Sequence, residues 1–227
     1  MSTDRAIASL IRKLDRAFPR TERVQRTPMD EFVLSFLLWE GISQRAEHAL
    51  KRLLDGSLDL NELRVTRPDD LASIIGKTYP LAEERAERLH LALNDLYKRE
   101  HAVSLDRVIA MTKRDGRKYI EELDGMVPYV AARISLFALD THAVPIDDRT
   151  LRLLIEHEVV EPAATLDKAV GKLERHIKST DAVQAHFLLQ QWAENDGVIP
   201  RARKPRATRS ASARTKRKPS RRKTPAK

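Results

Sequence analysis

The segment from Met29 to Glu40 places Phe32, Val33, Leu34, Phe36, Leu37 and Leu38 on nearly every face of a helix. A helix of that kind has no polar side to give to water, so it has to be the central, enclosed member of a bundle. Thr27-Pro28 suits its start, because Pro costs nothing in a first helical turn. Shorter apolar repeats at helical spacing surround it. They predict helices over Ile7 to Leu14, Gln44 to Leu54, Asp69 to Ile75, Leu81 to Arg99 and Leu105 to Met111. Further ones are predicted over Lys118 to Leu123, Pro128 to about Leu139, Arg149 to Glu156, Leu166 to Ile177 and Asp181 to Glu194. Ser2-Thr3-Asp4 offers a cap to the first of them and Pro19 a stop. The β-branched residues fall at helical, not alternating, spacing, which makes the fold all-α.

Composition excludes several classes of chemistry. The chain of 227 residues has no cysteine, so disulfides, thiolate metal sites and iron–sulfur clusters are ruled out. Its seven histidines show no paired ligand spacing, and neither metal nor cofactor is expected. Met1-Ser-Thr-Asp-Arg5 lacks an apolar signal core, and Phe32 to Trp39 is too short to cross a bilayer. The expectation is an intracellular, soluble monomer of cytoplasm or nucleoid (nucleus in a eukaryote), with no membrane partner.

The C-terminal segment has the opposite character. Pro200 to Lys227 consists of Lys, Arg, Pro, Ala, Ser and Thr only, with 13 basic residues and no acid. Taking these 13 from the 42 basic residues of the chain leaves 29 against 33 acidic ones in residues 1–199, a body of about −4. The tail alone therefore makes the chain cationic. With no aliphatic side chain larger than Ala it cannot offset chain entropy and is expected to be disordered. It suits a polyanion, since each phosphate neutralised releases condensed counterions. Arg201, Arg203, Lys204, Arg206, Lys216, Arg217, Lys218, Arg221, Arg222 and Lys223 are the tail's candidate DNA contacts. A targeting or solubilising role is the alternative, with Lys216 to Lys223 as an address. The expected organisation is an N-terminal helix and linker over 1–26, a helical domain over 27–195 and the tail over 196–227.

One string suggests a function. Leu123-Asp-Gly-Met-Val-Pro-Tyr-Val-Ala131 reads as a helix end, a tight Gly-containing turn and a second helix packed through small residues. In a helix–hairpin–helix element, the turn's N–H groups and the second helix's N-terminus face a DNA phosphate. A Gly after a helix is also an ordinary C-cap. With the buried apolar helix upstream and an aspartate-bearing connector downstream, the order of elements from Thr27 to Trp192 resembles the endonuclease III family of helix–hairpin–helix DNA glycosylases. The resemblance implies a two-lobed helical fold, double-stranded DNA as partner and a role in base excision repair.

The family's hairpin, Leu-Pro-Gly-Val-Gly-Arg-Lys-Thr-Ala, matches Leu123, Gly125 and Ala131. Gly125, Met126, Val127 and Tyr129 are its candidate DNA contacts. The family's second glycine falls on Val127, which resists positive φ, so a distorted turn is expected. Pro128 removes one N–H. The family's catalytic lysine falls on Tyr129, which cannot form a Schiff base, so no strand-cleaving lyase activity is implied. A partly buried core tyrosine is the simpler reading of Tyr129. The family's essential aspartate, eighteen positions further on, falls on Asp147. There it would stabilise the cationic sugar as the base departs, or merely cap the helix that follows. Leu139-Asp-Thr-His142 copies the family string more literally, but at the wrong spacing, so Asp140 ranks second.

Gly76 and Lys77 are further possible phosphate contacts or a plain turn. The family's wedge glutamine has only a displaced counterpart in Gln44. Arg85, Arg88 and Lys98 share their helix with Glu83, Glu84 and Glu87 and read as a solvated surface. Two functions stay open: a monofunctional DNA glycosylase using Asp147, and a catalytically silent DNA-binding relative driven by its histone-like tail. A helical interaction module with a localisation tail is the third reading.

Overall fold

The computed structural model describes residues 3–57, 59–76 and 78–200. Twelve α-helices occupy them. They are α1 (Thr3–Ala17), α2 (Pro28–Leu38), α3 (Ser43–Asp55), α4 (Leu60–Val65), α5 (Pro68–Ile75) and α6 (Ala82–Glu100), followed by α7 (Asp106–Ala110), α8 (Lys113–Glu121), α9 (Pro128–Phe137), α10 (Asp148–Glu156), α11 (Leu166–His176) and α12 (Ala182–Glu194). A single 3-10 turn at Ser179–Asp181 leads into α12. No strand occurs among the described residues. The tail's candidate contacts, Arg201, Arg203, Lys204, Arg206, Lys216, Arg217, Lys218, Arg221, Arg222 and Lys223, lie outside them, as do Ser2 and Lys77.

The helices make two lobes, each with its own core. The first gathers α2 to α8 around α2, nine of whose 11 residues are buried. Thr27 caps α2 by accepting from the Asp30 N–H at 3.1 Å, and Pro28 takes the first turn. The second lobe packs α1 against α11 and α12, with Ile7, Leu10, Leu14 and Phe18 in a core shared with Leu153, Leu154, Leu188 and Trp192. The expected division at residue 26 is therefore corrected: α1 belongs to the core of the lobe that closes the chain. Apolar burial holds it there, each fully buried Leu or Ile contributing roughly 1.5–3 kcal/mol.

Helix α9 joins the lobes. Val130 and Ile134 belong to the first core, whereas Ala132, Leu136 and Phe137 belong to the second. Nine of its 10 residues are buried, Tyr129 to Phe137 without a break. Three expectations change in detail. Lys118 to Leu123 proves to be the end of a longer helix, α8, which Thr112 starts by capping the Asp115 N–H. The six-residue α4, capped by Asp59, is too short to carry a periodic signal. Arg85 is not on a solvated face: it is fully buried.

Candidate nucleic-acid interface and interlobe seam

The hairpin forms where the sequence places it. Gly125 has φ +74°, and the Met126 N–H closes the turn on the Leu123 carbonyl at 3.2 Å. A Cβ at Gly125 would stand 2.5 Å from the Arg88 carbonyl oxygen and 3.0 Å from Leu91 Cβ, so the turn lies directly on α6. The Asp124 N–H donates to Asp95 at 3.0 Å, and Arg99 donates to the Glu122 carbonyl at 2.8 Å. Those bonds also tie the turn to α6. Asp95 is itself held below the usual carboxylate range: burial pushes it up, but the Asp124 N–H and the Arg99 guanidinium at 2.7 Å outweigh that.

The expected distortion at Val127 is absent. Val127 adopts φ −119° and ψ 153°, extended backbone open to any residue, and serves as N-cap of α9. Its side chain turns into the first core, while Gly125 and Met126 remain half-buried at the surface. Tyr129, the second residue of α9, is buried in the seam, 2% exposed, with its hydroxyl donating to Gln190 Oε1 at 3.2 Å. Burial pushes its phenol well above the usual range. In this arrangement Tyr129 is a core residue, not a surface contact.

Asp147 sits at the start of α10 with a side chain fully removed from solvent. Its Oδ1 accepts from the Thr150 N–H at 2.8 Å and the Thr150 hydroxyl at 2.6 Å. Its Oδ2 accepts from the Glu40 N–H, across the lobes, at 3.1 Å, with Arg149 Nη2 at 3.7 Å. The capping role is thus realised, and a bond between lobes is added to it. Asp140 lies elsewhere, exposed and paired with Arg23 at 3.2 Å.

The connector between α2 and α3, which the sequence marked only for Gln44, is the other half of the seam. Gln190 and Arg149 both donate to the Gly41 carbonyl, each at 3.1 Å. Glu194 accepts from the Ser43 N–H at 2.7 Å and its hydroxyl at 2.5 Å. Glu40 is held in the left-handed region at φ +49°. Desolvation raises its carboxyl above the usual range, with Asp147 and Asp148 adding to the effect. Gln44 points to solvent at the head of α3.

Beside the seam, Arg85 donates to the Pro80 and Phe36 carbonyls, and its guanidinium lies 5.7 Å from the Trp39 ring and 5.0 Å from that of Tyr79. Burial lowers its basicity. Arg88, by contrast, is about one-third exposed and covers Trp39 at 5.5 Å. Trp39, with the Arg85 and Arg88 guanidinium groups against its ring, thus packs on α6, the helix on which the hairpin glycine also rests. Neither Trp39 nor its partnership with Arg88 was visible in helical periodicity.

Two lobes sharing a hairpin-led helix, with an aspartate at the head of the next helix, define the helix–hairpin–helix DNA glycosylase fold. The chain matches no family model and no curated protein. Among solved structures it resembles a trapped endonuclease III–DNA covalent intermediate, with 15% identity, a TM-score of 0.67 and 85% of this chain aligned to 86% of that one. It also resembles the Clostridium acetobutylicum 8-oxoguanine glycosylase/lyase in complex with double-stranded DNA containing cytosine opposite 8-oxoguanine. There the identity is 16%, the TM-score 0.64 and the coverage 86% of this chain and 70% of that one. A thermostable thymine-DNA glycosylase aligns with 17% identity, a TM-score of 0.57 and coverage of 84% and 86%.

Proposed function

We propose that this protein binds duplex DNA through its hairpin face and its basic C-terminal segment, and that its glycosylase fold acts as a binding scaffold without base-excising activity. The observation that carries this reading is the state of Asp147. A carboxylate that assists departure of a base has to face the sugar, yet both oxygens of Asp147 are committed to protein donors and its side chain is fully removed from solvent. Tyr129, standing where the resemblance implies a lysine, cannot supply a Schiff base, and its hydroxyl is spent on Gln190.

DNA as partner is supported on three counts. The structural neighbours include complexes with DNA. The Gly125 turn leads into the N-terminus of α9, where backbone N–H groups and the helix dipole favour a phosphate. The body is acidic and the tail holds 13 cations, so the tail would supply most of the nonspecific attraction. The second reading, a monofunctional glycosylase, is favoured by the aspartate's position at the head of α10 and requires the seam to open.

A single-turnover assay on duplexes carrying a panel of base lesions, followed by alkali, separates the two. Tight, salt-sensitive binding with no alkali-dependent break is the expected result. Breaks with the wild type that disappear in Asp147→Asn, assayed well below the melting temperature of the folded variant, would overturn the scaffold reading in favour of catalysis by Asp147.

A further inference from the structure

Helix α1 departs from the charge balance of the body. Residues 1–20 hold five cations and two acids, whereas residues 21–199 hold 24 and 31. A local excess of about +3 thus sits in a body of about −4. Arg5, Ser9, Arg12 and Arg16 follow one another at i, i+4, i+7 and i+11, which sets them in one stripe along the helix. By the same spacing the stripe lies opposite Ile7, Leu10 and Leu14, which enter the core. The three arginines are exposed. None has a carboxylate partner among the described residues, and Arg12 donates its Nε–H to the Ala8 carbonyl of its own helix at 3.1 Å.

A solvated helix face normally mixes its signs, and other helices here do so within one turn. Glu84 and Arg88, Asp95 and Arg99, Arg117 and Glu121, and Arg152 and Glu156 all pair at i, i+4. Arg12 and Arg16 stand at the same spacing with the same sign, an arrangement that destabilises a helix. The unmatched charge continues beyond α1. A groove of about 610 Å³ is lined by Arg12 and Arg20 on the α1 side and by His176 and Lys178 between α11 and α12. Its two carboxylates are engaged, Asp15 by Arg20 at 3.3 Å and Asp181 by the Thr180 hydroxyl at 3.3 Å. Lys178 is exposed and has no carboxylate partner among the described residues. Beneath the rim, Ile7, Ile177 and Leu188 are at most 6% exposed.

We infer that this face of the second lobe is a second phosphate-contact surface, on which a nucleic-acid backbone lies along α1 with Arg5, Arg12, Arg16 and Lys178 on its phosphates. Four and seven residues of helix advance about 6 and 10 Å, so the arginines meet a ligand whose charge repeats along its length. A nucleic-acid strand is such a ligand, with one phosphate about every 3.4 Å of its axis. The guanidinium fork matches phosphate oxygens in pairs. An acidic protein would need apolar area to cover at the centre of its contact, and the apolar floor here is already buried. The surface is separate from the hairpin: α1 packs on α11 and α12 in the second lobe, whereas Gly125 rests on α6 in the first. The inference rests on DNA as partner and adds to it that the body, although acidic as a whole, makes phosphate contacts of its own away from the hairpin and the tail.

The test uses the full-length protein and an unmodified DNA duplex. Arg5→Gln/Arg12→Gln/Arg16→Gln removes the stripe. Arg67→Gln/Arg107→Gln/Arg152→Gln, at exposed arginines already paired with carboxylates, changes the net charge equally and serves as control. The stripe variant is expected to lower the slope of log K against log salt by about 2–3, from three contacts at about 0.9 each, and to bind at least about tenfold more weakly at about 0.1 M salt. The control is expected to keep the wild-type slope. DNA should also protect Arg5, Arg12 and Arg16 of the wild type from phenylglyoxal, read peptide by peptide by mass spectrometry, and leave Arg67 reactive. If the stripe variant fails to fold, that protection decides the matter. Salt-sensitive binding by the wild type with an unchanged slope in the folded stripe variant, or an equal loss in the control, would overturn this surface and leave the hairpin and tail reading standing. No salt-sensitive binding by the wild type would overturn both.

Discussion

Replacing Asp147 by Asn tests how the seam is held. In most N-caps Asn and Asp are nearly equivalent, because one side-chain oxygen is enough. Here both oxygens face donors only: Oδ1 meets the Thr150 N–H and hydroxyl, and Oδ2 meets the Glu40 N–H at 3.1 Å. An amide keeps one acceptor and turns an NH2 against the other donor group. The loss is a hydrogen bond to a charged acceptor plus a buried N–H left facing a donor, about 2 kcal/mol in all. For a body of this size that corresponds to a fall in Tm of about 4–8 °C. Asp147→Ser keeps a capping oxygen for Thr150 and releases only Glu40, so it should fall by a similar amount. Thermal and urea denaturation of both variants measure the cost, and amide exchange at Glu40 reports whether the bond between lobes was the part lost. A Tm for Asp147→Asn equal to that of the wild type, with unchanged protection at Glu40, would refute the argument that Asp147 fastens the seam.

The remaining predictions concern the hairpin, the buried His186 and the tail. Gly125→Ala puts a Cβ 2.5 Å from the Arg88 carbonyl at a positive φ, so it should cost about 1–3 kcal/mol in denaturation and weaken DNA binding. His186 has a folded-state value of about 3 against about 6.5 when unfolded. The unfolded chain therefore binds the extra proton between these values, and stability should fall progressively as pH drops from about 6.5 towards 3. His186→Phe should flatten that part of the profile, and an unchanged slope would count against a buried neutral imidazole. Deleting residues 200–227 should weaken binding to duplex DNA sharply. It should also reduce the slope of log K against log salt by up to about 12, the limit for 13 tail cations each meeting a phosphate.

Much of the architecture was legible along the chain because its causes are local. The all-round apolar character of Phe32 to Leu38 required an enclosed helix, and α2 is the centre of the first lobe. Thr27-Pro28 and Gly125 mark a helix start and a turn through their own backbone preferences. The string Leu123 to Ala131 pointed to a hairpin, which forms with Gly125 at positive φ. What periodicity misjudged was partnership. Arg85 carries the same side chain as its exposed neighbour Arg88, yet it is buried because the Phe36 and Pro80 carbonyls and two aromatic rings converge on it from other elements. Val127 looked strained only on the assumption that it had to copy a glycine's conformation; as an extended N-cap it is at ease.

The sequence by itself determined the helices, the lack of thiol chemistry and the contrast between an acidic body and a basic tail, because these depend on side-chain type and on spacing within a few residues. Only the tertiary structure decided that α1 joins α12 across the length of the chain. It alone placed Trp39 beneath Arg88 and closed Asp147 between Thr150 and Glu40, 107 positions away in sequence. Contacts of that range arise when two separately formed surfaces meet, and no local pattern records which donor will find which acceptor.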